Sequence, residues 1–288
     1  MNKQLLNLEH ISILFQPLFE IQIPLSEYSF SNLFLFRTAH NYHILDIDGD
    51  LFVSGVTYDG KSYIMPTITI SLSNERYLQK LIELLKSHDY IFPIPEEWLY
   101  LFPESEFIRI SNDDDTDYIF NIDKFRNYAG RKLHSKKNLL NQFVNNYTPS
   151  MERFSKDNIH IALDLLDIWQ SESGSGKNET DYIPCVEAIE NFEKLKLCGG
   201  IFKADDKPVG FLIGEEINSE MYGIHFAKGL KSIKGISQYM FSRCSEIHIE
   251  MYKYINLEQD MGKENLRNTK TSYLPDTMAK KFRISFKK

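Results

Sequence analysis

YINLEQDMGKENLRNTKTSYLP, residues 254–275, opens as a strand and then abruptly becomes charged. Tyr254 and Ile255 suit a buried sheet position. Glu258, Asp260, Lys263, Glu264, Arg267 and Lys270 follow, with Gly262 and Pro275 as punctuation. One reading is a solvated helix. The other is a reaction site at the carboxyl end of a strand, where open α/β folds place their ligands. Arg267 and Lys270 are three apart and share a helical face. Glu258 and Asp260 lie just past the strand end.

Working outward, the same order of elements occurs twice. Upstream of the charged stretch, LCGGIFKA (197–204), VGFLIGEEI (209–217) and MYGIHFA (221–227) read as a meander turned at Asp205–Pro208 and Asn218-Ser219. A helix, ISQYMFSRCSEIH (236–248), follows, then the strand, a helix near Lys263–Asn268 and a closing strand, KKFRISF (280–286). Earlier, NYHILDI (41–47), DLFVSGVTY (50–58) and KSYIMPT (61–67) form a first meander, separated by the hairpin dipeptides Asp48-Gly49 and Asp59-Gly60. Asn74 then caps a helix whose Tyr77, Leu78, Leu81, Ile82, Leu84 and Leu85 recur at helical spacing. YIFPI (90–94), a short helix over Glu96–Leu101 and FIRIS (107–111) complete it.

The repetition predicts two mixed α/β units, with 41–111 and 197–286 superposing. The polar run NDDDTD (112–117) divides them, giving an N-terminal domain over 1–115 and a C-terminal domain over 116–288. The connecting region predicts a long helix over 123–146, a helix ending near Trp169, a polar loop SESGSGKNET and a helix near 185–195. SGSGKN (173–178) lacks the spacing and the Ser or Thr of a phosphate loop, and DIDGD (46–50) lacks the later ligands of a calcium loop, so both read as turns.

Composition restricts the function class. The formal net charge is −7, but residues 228–288 carry 13 Lys and Arg against 6 Asp and Glu. A basic C-terminal quarter on an acidic body suits an anionic partner. The 3 cysteines, Cys185, Cys198 and Cys244, are too dispersed for a thiolate metal site or a disulfide framework, and are expected as buried packing residues. No metal site is expected. The start has no secretory pattern and no later run approaches the roughly 20 apolar residues of a spanning helix, so a soluble cytoplasmic protein is expected.

A meander feeding a helix, then a strand parallel to the last meander strand, is the arrangement of the GNAT acyltransferases. The acyl donor there enters where two parallel strands splay, with its phosphates near the following helix. The two copies differ at that entry. The first, TISLSNERYL, has no Gly and only Arg76 as a cation; the second, FAKGLKSIKGISQ, offers Lys228, Lys231, Lys234, Gly235 and Ser237. The second copy is therefore the expected donor site, with the backbone around Ser232–Ser237 facing a cleft. His225, Asn256, Ser272 and Tyr273 are the expected pocket residues.

Three stretches carry a resemblance to a known family. SEYSFSNLFLFR (26–37), GRKLHSKKNLLNQF (130–143) and YINLEQDMGKENLRNTKTSYLP are similar to the C-terminal domain of phosphatidylglycerol lysyltransferases. The resemblance implies a tandem GNAT-like fold, mixed sheets with flanking helices, and a reacting centre in the second domain. For the lipid-modifying members it implies aminoacyl-tRNA as donor and phosphatidylglycerol as acceptor. Transfer from an ester needs a base and an oxyanion partner. Glu258 and Asp260 are the candidate bases or ammonium ligands, and Arg267 and Lys270 the candidate oxyanion or phosphate ligands. Arg131, Lys132, Lys136, Lys137 and Asn138, in one amphipathic basic stretch, are the candidate tRNA contacts. Three positions depart from the family pattern: Ala227 replaces a carboxylate, Leu257 an Arg, and Lys137 an Arg. An acyl-CoA donor, and a member that binds without turnover, stay open beside the aminoacyl-tRNA reading. No covalently bound cofactor is expected; the donor is a co-substrate and the acceptor a small molecule or lipid.

Overall fold

The computed structural model describes residues 2–287 as two compact units. The first holds 2–118, Glu258–Ser272 and 277–287; the second holds Ile119–Leu257 and Tyr273–Asp276. The chain passes from the first unit to the second between Tyr118 and Ile119. The chain then crosses back, so the charged stretch after β-strand 254–256 belongs to the first unit rather than the second.

The first unit begins with β1 (Asn2–Leu5), α1 (Ile11–Glu20) and α2 (Phe30–His40). The meander β2 (His43–Ile47), β3 (Asp50–Val56) and β4 (Ser62–Pro66) follows, then α3 (Glu75–Leu85), β5 (Tyr90–Ile94) and β6 (Phe107–Ser111). Asp48 and Gly49 both have positive φ, 53° and 86°, as the two-residue turn between β2 and β3 requires. The apolar face of α3 is buried through Tyr77, Leu78, Leu81, Leu84 and Leu85, and the Tyr77 ring stacks on Phe52 at 4.5 Å. Asn74 occupies the N-cap position of α3, but its side chain makes no capping hydrogen bond.

The second unit runs β7 (Asp117–Asn121, which begins in the first unit), α4 (Asp123–Asn127), α5 (His134–Asn146), β8 (Pro149–Arg153), α6 (Ile159–Ser173) and α7 (Tyr182–Glu190). Its meander is β9 (Cys198–Ala204), β10 (Lys207–Asn218) and β11 (Met221–Gly229), followed by α8 (Ile236–His248) and β12 (Tyr254–Asn256). The continuous helix expected over 123–146 is broken. Tyr128 turns left-handed at φ 50° and Gly130 at φ 96°. Tyr128 is buried, and its hydroxyl donates to the Gln238 carbonyl at 3.0 Å, so a tertiary anchor overrides local helix preference.

The chain closes with α9 (Glu264–Thr271), β13 (Thr277–Ala279) and β14 (Phe282–Phe286). The first sheet is ordered β1-β2-β3-β4-β5-β14-β6. The second contains the run β8-β9-β10-β11-β12-β7. Position by position the two orders match: β4 and β11 each pair parallel with the next strand, and β14 and β7 each pair antiparallel beyond it. The repeat is therefore real, but its closing strands are exchanged in sequence. The expectation that 280–286 closes the second unit is corrected: β14 is held between β5 and β6, and β7, placed before the second meander, takes the matching place beside β12 in the second sheet. No helix among the described residues is long and apolar enough to cross a membrane.

Candidate functional site

In the first unit the charged stretch begins as a folded loop and continues as α9, a helix with no buried residue. Glu258, Met261 and Gly262 take positive φ, at 58°, 55° and 71°, which winds 258–262 into a tight loop. Gly262 is required there, since a Cβ would meet the Asp114 carboxylate at 2.9 Å. Asp260 is fully buried. It accepts from the Tyr118 hydroxyl at 2.6 Å, the Gly262 N–H at 2.8 Å, and Nε and Nη2 of Arg267 at 2.8 and 2.9 Å. Burial alone would raise its pKa, but the Arg267 guanidinium, the Tyr118 hydroxyl and the Gly262 N–H together hold it below the usual carboxylate range. Arg267 also donates to Asp114 at 2.6 Å.

Lys270 donates to the carbonyls of Glu258 and Gln259 at 3.1 and 2.6 Å, and burial pushes its ammonium down to about 8. Glu258 accepts from Asn32 of α2 at 2.9 Å. All four residues thus meet inside the first unit, where they fasten the loop to α2 and to the segment 114–118. The expected convergence on a mouth in the second unit is corrected by this unit assignment.

A buried charge cluster adjoins the same loop. Lys281 donates to Glu27, Asp117 and Gln259, each at 2.7 Å. Lys281 and Asp117 are wholly buried and Glu27 nearly so. Burial pushes the Glu27 carboxyl up to about 7, against the pull of the Lys281 ammonium. Sequence reading missed this cluster because its members lie 254 residues apart. Glu27 in SEYSFSNLFLFR, Asp117 in the polar run 112–117, Gln259 in the charged stretch and Lys281 in KKFRISF each lay in a stretch read for another reason.

In the second unit the splay expected of the fold is present. β12 pairs with β11 only over Met221–Gly223, and 224–229 runs on past the end of β12. His225 sits at a bulge, because Ile213 faces Phe226 while Gly214 faces Ile224. Its buried ring bonds through Nε2 to Glu215 of β10 at 2.8 Å, so a carboxylate reaches the histidine from the neighbouring strand although position 227 is Ala. Three residues on, the buried Lys228 donates to Asp181 at 2.6 and 2.8 Å and lies 3.8 Å from the centre of the Trp169 ring. Asp181, Trp169 and Glu215 were not singled out from sequence. Trp169 and Asp181 flank the polar loop 174–180, and a loop rich in Gly and Ser gives no local sign of what its ends touch.

The expected donor residues separate. The Lys231 N–H bonds to the Glu172 carboxylate at 2.8 Å and its ammonium to the Glu172 carbonyl at 2.7 Å. Lys234 is exposed and Ser237 half-buried. Gly235 is buried with φ 89°, and a Cβ there would run into the Leu139 carbonyl of α5. The close approach that Gly235 permits is to α5, which corrects its expected role of admitting a phosphate.

Among the pocket residues, Asn256 is fully buried in β12. Tyr273 packs with Phe125 and Phe241 and accepts from Gln238 at 2.8 Å, so its hydroxyl serves the core rather than a pocket wall. Ser272 is exposed in the first unit, its hydroxyl closing α9 on the Thr269 carbonyl at 2.6 Å. Of the basic residues, Arg131, Lys132, Lys137 and Asn138 are exposed, whereas Lys136 lies 4.1 Å over the Tyr273 ring and burial lowers its pKa.

Known proteins bear on this geometry. A protein of unknown function from Bacteroides thetaiotaomicron VPI-5482 superposes with a TM-score of 0.86 at 27% identity, covering 100% of both chains. The C-terminal domain of a putative lysylphosphatidylglycerol synthetase from Agrobacterium fabrum gives a TM-score of 0.65 at 12% identity, over 97% of this chain and 92% of that one, a likeness of fold alone. An uncharacterized protein, MYCGA3080 of Mycoplasmoides gallisepticum, is 22% identical over 188 residues, and the match spans 58% of that relative. The fold is the tandem GNAT-like one. A model of the family described as phosphatidylglycerol lysyltransferase, C-terminal, matches residues 20–285, and the chain belongs to that family.

Proposed function

We propose that this chain is an aminoacyltransferase that takes its acyl group from an aminoacyl-tRNA ester and passes it to a hydroxyl or amine at the open edge of β11. The observation that carries this reading is the His225–Glu215 pair at the β11 bulge, where the sheet splays. The hydrogen bond between Nε2 and the Glu215 carboxylate holds the wholly buried ring in place at the bulge, so His225 positions β11 beside the splay. In the step proposed, the acceptor oxygen or nitrogen attacks the ester carbonyl and gives up its proton. The bond from the carbonyl carbon to the ribose oxygen then breaks, and the same proton passes to that oxygen.

Charge bookkeeping at the donor entry favours tRNA over acyl-CoA. Lys228 is paired with Asp181, whereas the Lys231 ammonium meets only the Glu172 carbonyl, so Lys231 and Lys234 are the exposed cations ahead of α8. Arg131, Lys132 and Lys137 are also exposed and offer a backbone-tracking surface.

The test is transfer of labelled amino acid from a mixed aminoacyl-tRNA pool to soluble amines and to lipid, beside a thermal-shift series with coenzyme A. Turnover that His225→Gln lowers by about a hundredfold supports the reading. Stabilisation by coenzyme A without tRNA affinity replaces it with an acyl-CoA donor. Tight tRNA binding with no transfer to any acceptor makes the chain a binding member of the family.

A further inference from the structure

A cavity of about 350 Å³ lies in the second unit, lined from β8, β9 and the last turns of α8. It shares no lining residue with His225, Lys228, Trp169 or Asp181. The volume falls at the lower end of small-molecule sites, roughly 300–1,000 Å³. Phe154, Phe192, Phe202 and Leu212 give it an apolar wall. Met151 and Met251 add unbranched thioethers, which adapt to a flexible chain.

One end is different. His248 stacks on Tyr222 with ring centres 4.2 Å apart, and its Nδ1 is the one buried side-chain polar atom without a hydrogen-bond partner among the described residues. A buried polar atom left unpaired costs stability, so it marks a place where a partner is missing. Arg153 lines the same end and enters no ion pair among the described residues. Burial pushes the His248 imidazole down to about 4 and the Cys198 thiol up; the Arg153 charge adds to the first effect and opposes the second. Cys198 is exposed here, contrary to its expected burial.

An apolar wall closed at one end by a cation and an unpaired nitrogen is complementary to one kind of molecule. We propose that this cavity binds a medium-chain aliphatic carboxylate, with the carboxylate on Arg153 and His248 Nδ1–H and the chain along Phe154, Phe192 and Phe202. A neutral chain would leave both polar groups unanswered. A short charged acid would leave the wall wet.

Decanoate, decanol and methyl decanoate serve as probes on the full chain. Cys198 lines the cavity and is exposed, while Cys185 and Cys244 are buried, so alkylation of Cys198 by N-ethylmaleimide at about pH 8.5, followed by mass spectrometry, reports occupancy. Decanoate should slow alkylation and raise the melting temperature, at concentrations about tenfold below those needed for the two neutral probes. Arg153→Gln should remove that tenfold preference, and Cys198→Trp should abolish the rise in melting temperature by filling the space. Arg153 is exposed, so its variant keeps the test valid should Cys198→Trp fail to fold. Failure of decanoate both to protect Cys198 and to raise the melting temperature overturns the proposal. Equal protection by decanoate and decanol, or an unchanged preference in Arg153→Gln, overturns it as well.

Discussion

Arg267 grips Asp260 with two nitrogens, Nε to Oδ2 at 2.8 Å and Nη2 to Oδ1 at 2.9 Å, and keeps Nη2 on Asp114 at 2.6 Å as well. A two-point contact of this kind fixes orientation as well as distance. It fixes the loop 258–262 and ties it to a segment 153 residues away in sequence.

Asp260→Asn should therefore act on folding. The carboxyl has a depressed pKa in the folded chain, so it binds protons less readily there than when unfolded, and its stabilisation is present above the unfolded value near 4 and lost as pH falls through the folded one. Urea midpoints measured from pH 3 to 7 should put the variant below the wild type at pH 7, with the gap narrowing on acidification. A gap that stays constant across the range would remove Asp260 as the titrating group.

Glu27 gives the opposite sign. Its pKa of about 7 in the folded chain lies above the unfolded value near 4.3, so the folded chain holds the extra proton between them and stability falls as pH rises through that window. Glu27→Gln should flatten the decline between about pH 4.5 and 7. Lys281→Met leaves Glu27 and Asp117 buried without a cation and should cost about 4 kcal/mol at pH 8, by denaturant titration.

Gly235→Ala should lower stability by about 2 kcal/mol with no ligand present, since it combines a left-handed φ with a clash against the Leu139 carbonyl. Thermal unfolding of the variant alone checks this. An unchanged melting temperature would return Gly235 to a role in ligand contact.

Replacing Arg131, Lys132 and Lys137 together by Gln should weaken tRNA binding and flatten its salt dependence. Each lost phosphate contact reduces the slope of log K against log salt by about 0.7–0.9, so the triple variant should lose about 2. Lys136→Gln should change the slope less, because its ammonium already sits over the Tyr273 ring. Identical slopes for wild type and triple variant would exclude this surface as the contact.

Local patterns in the sequence determined much of this molecule. Asp48-Gly49 encodes its own turn, since both residues tolerate positive φ, and the 3.6-residue recurrence of Tyr77, Leu81 and Leu84 encodes the buried face of α3. The two meanders, and the helix and parallel strand after each, were legible for the same reason: neighbours in the chain are neighbours in space. The Lys-rich entry at 228–234 marked the copy that carries the His225 bulge. Tertiary structure alone decided where distant pieces go. Nothing within KKFRISF distinguishes a strand that closes the second sheet from one that inserts between β5 and β6, because strand pairing is chosen by partners far along the chain. The charged stretch behaves likewise. Asp260, Arg267 and Lys270 have the composition of a solvated helix until Tyr118, Asp114 and the turned-back carbonyls of 258 and 259 supply the partners that fix them.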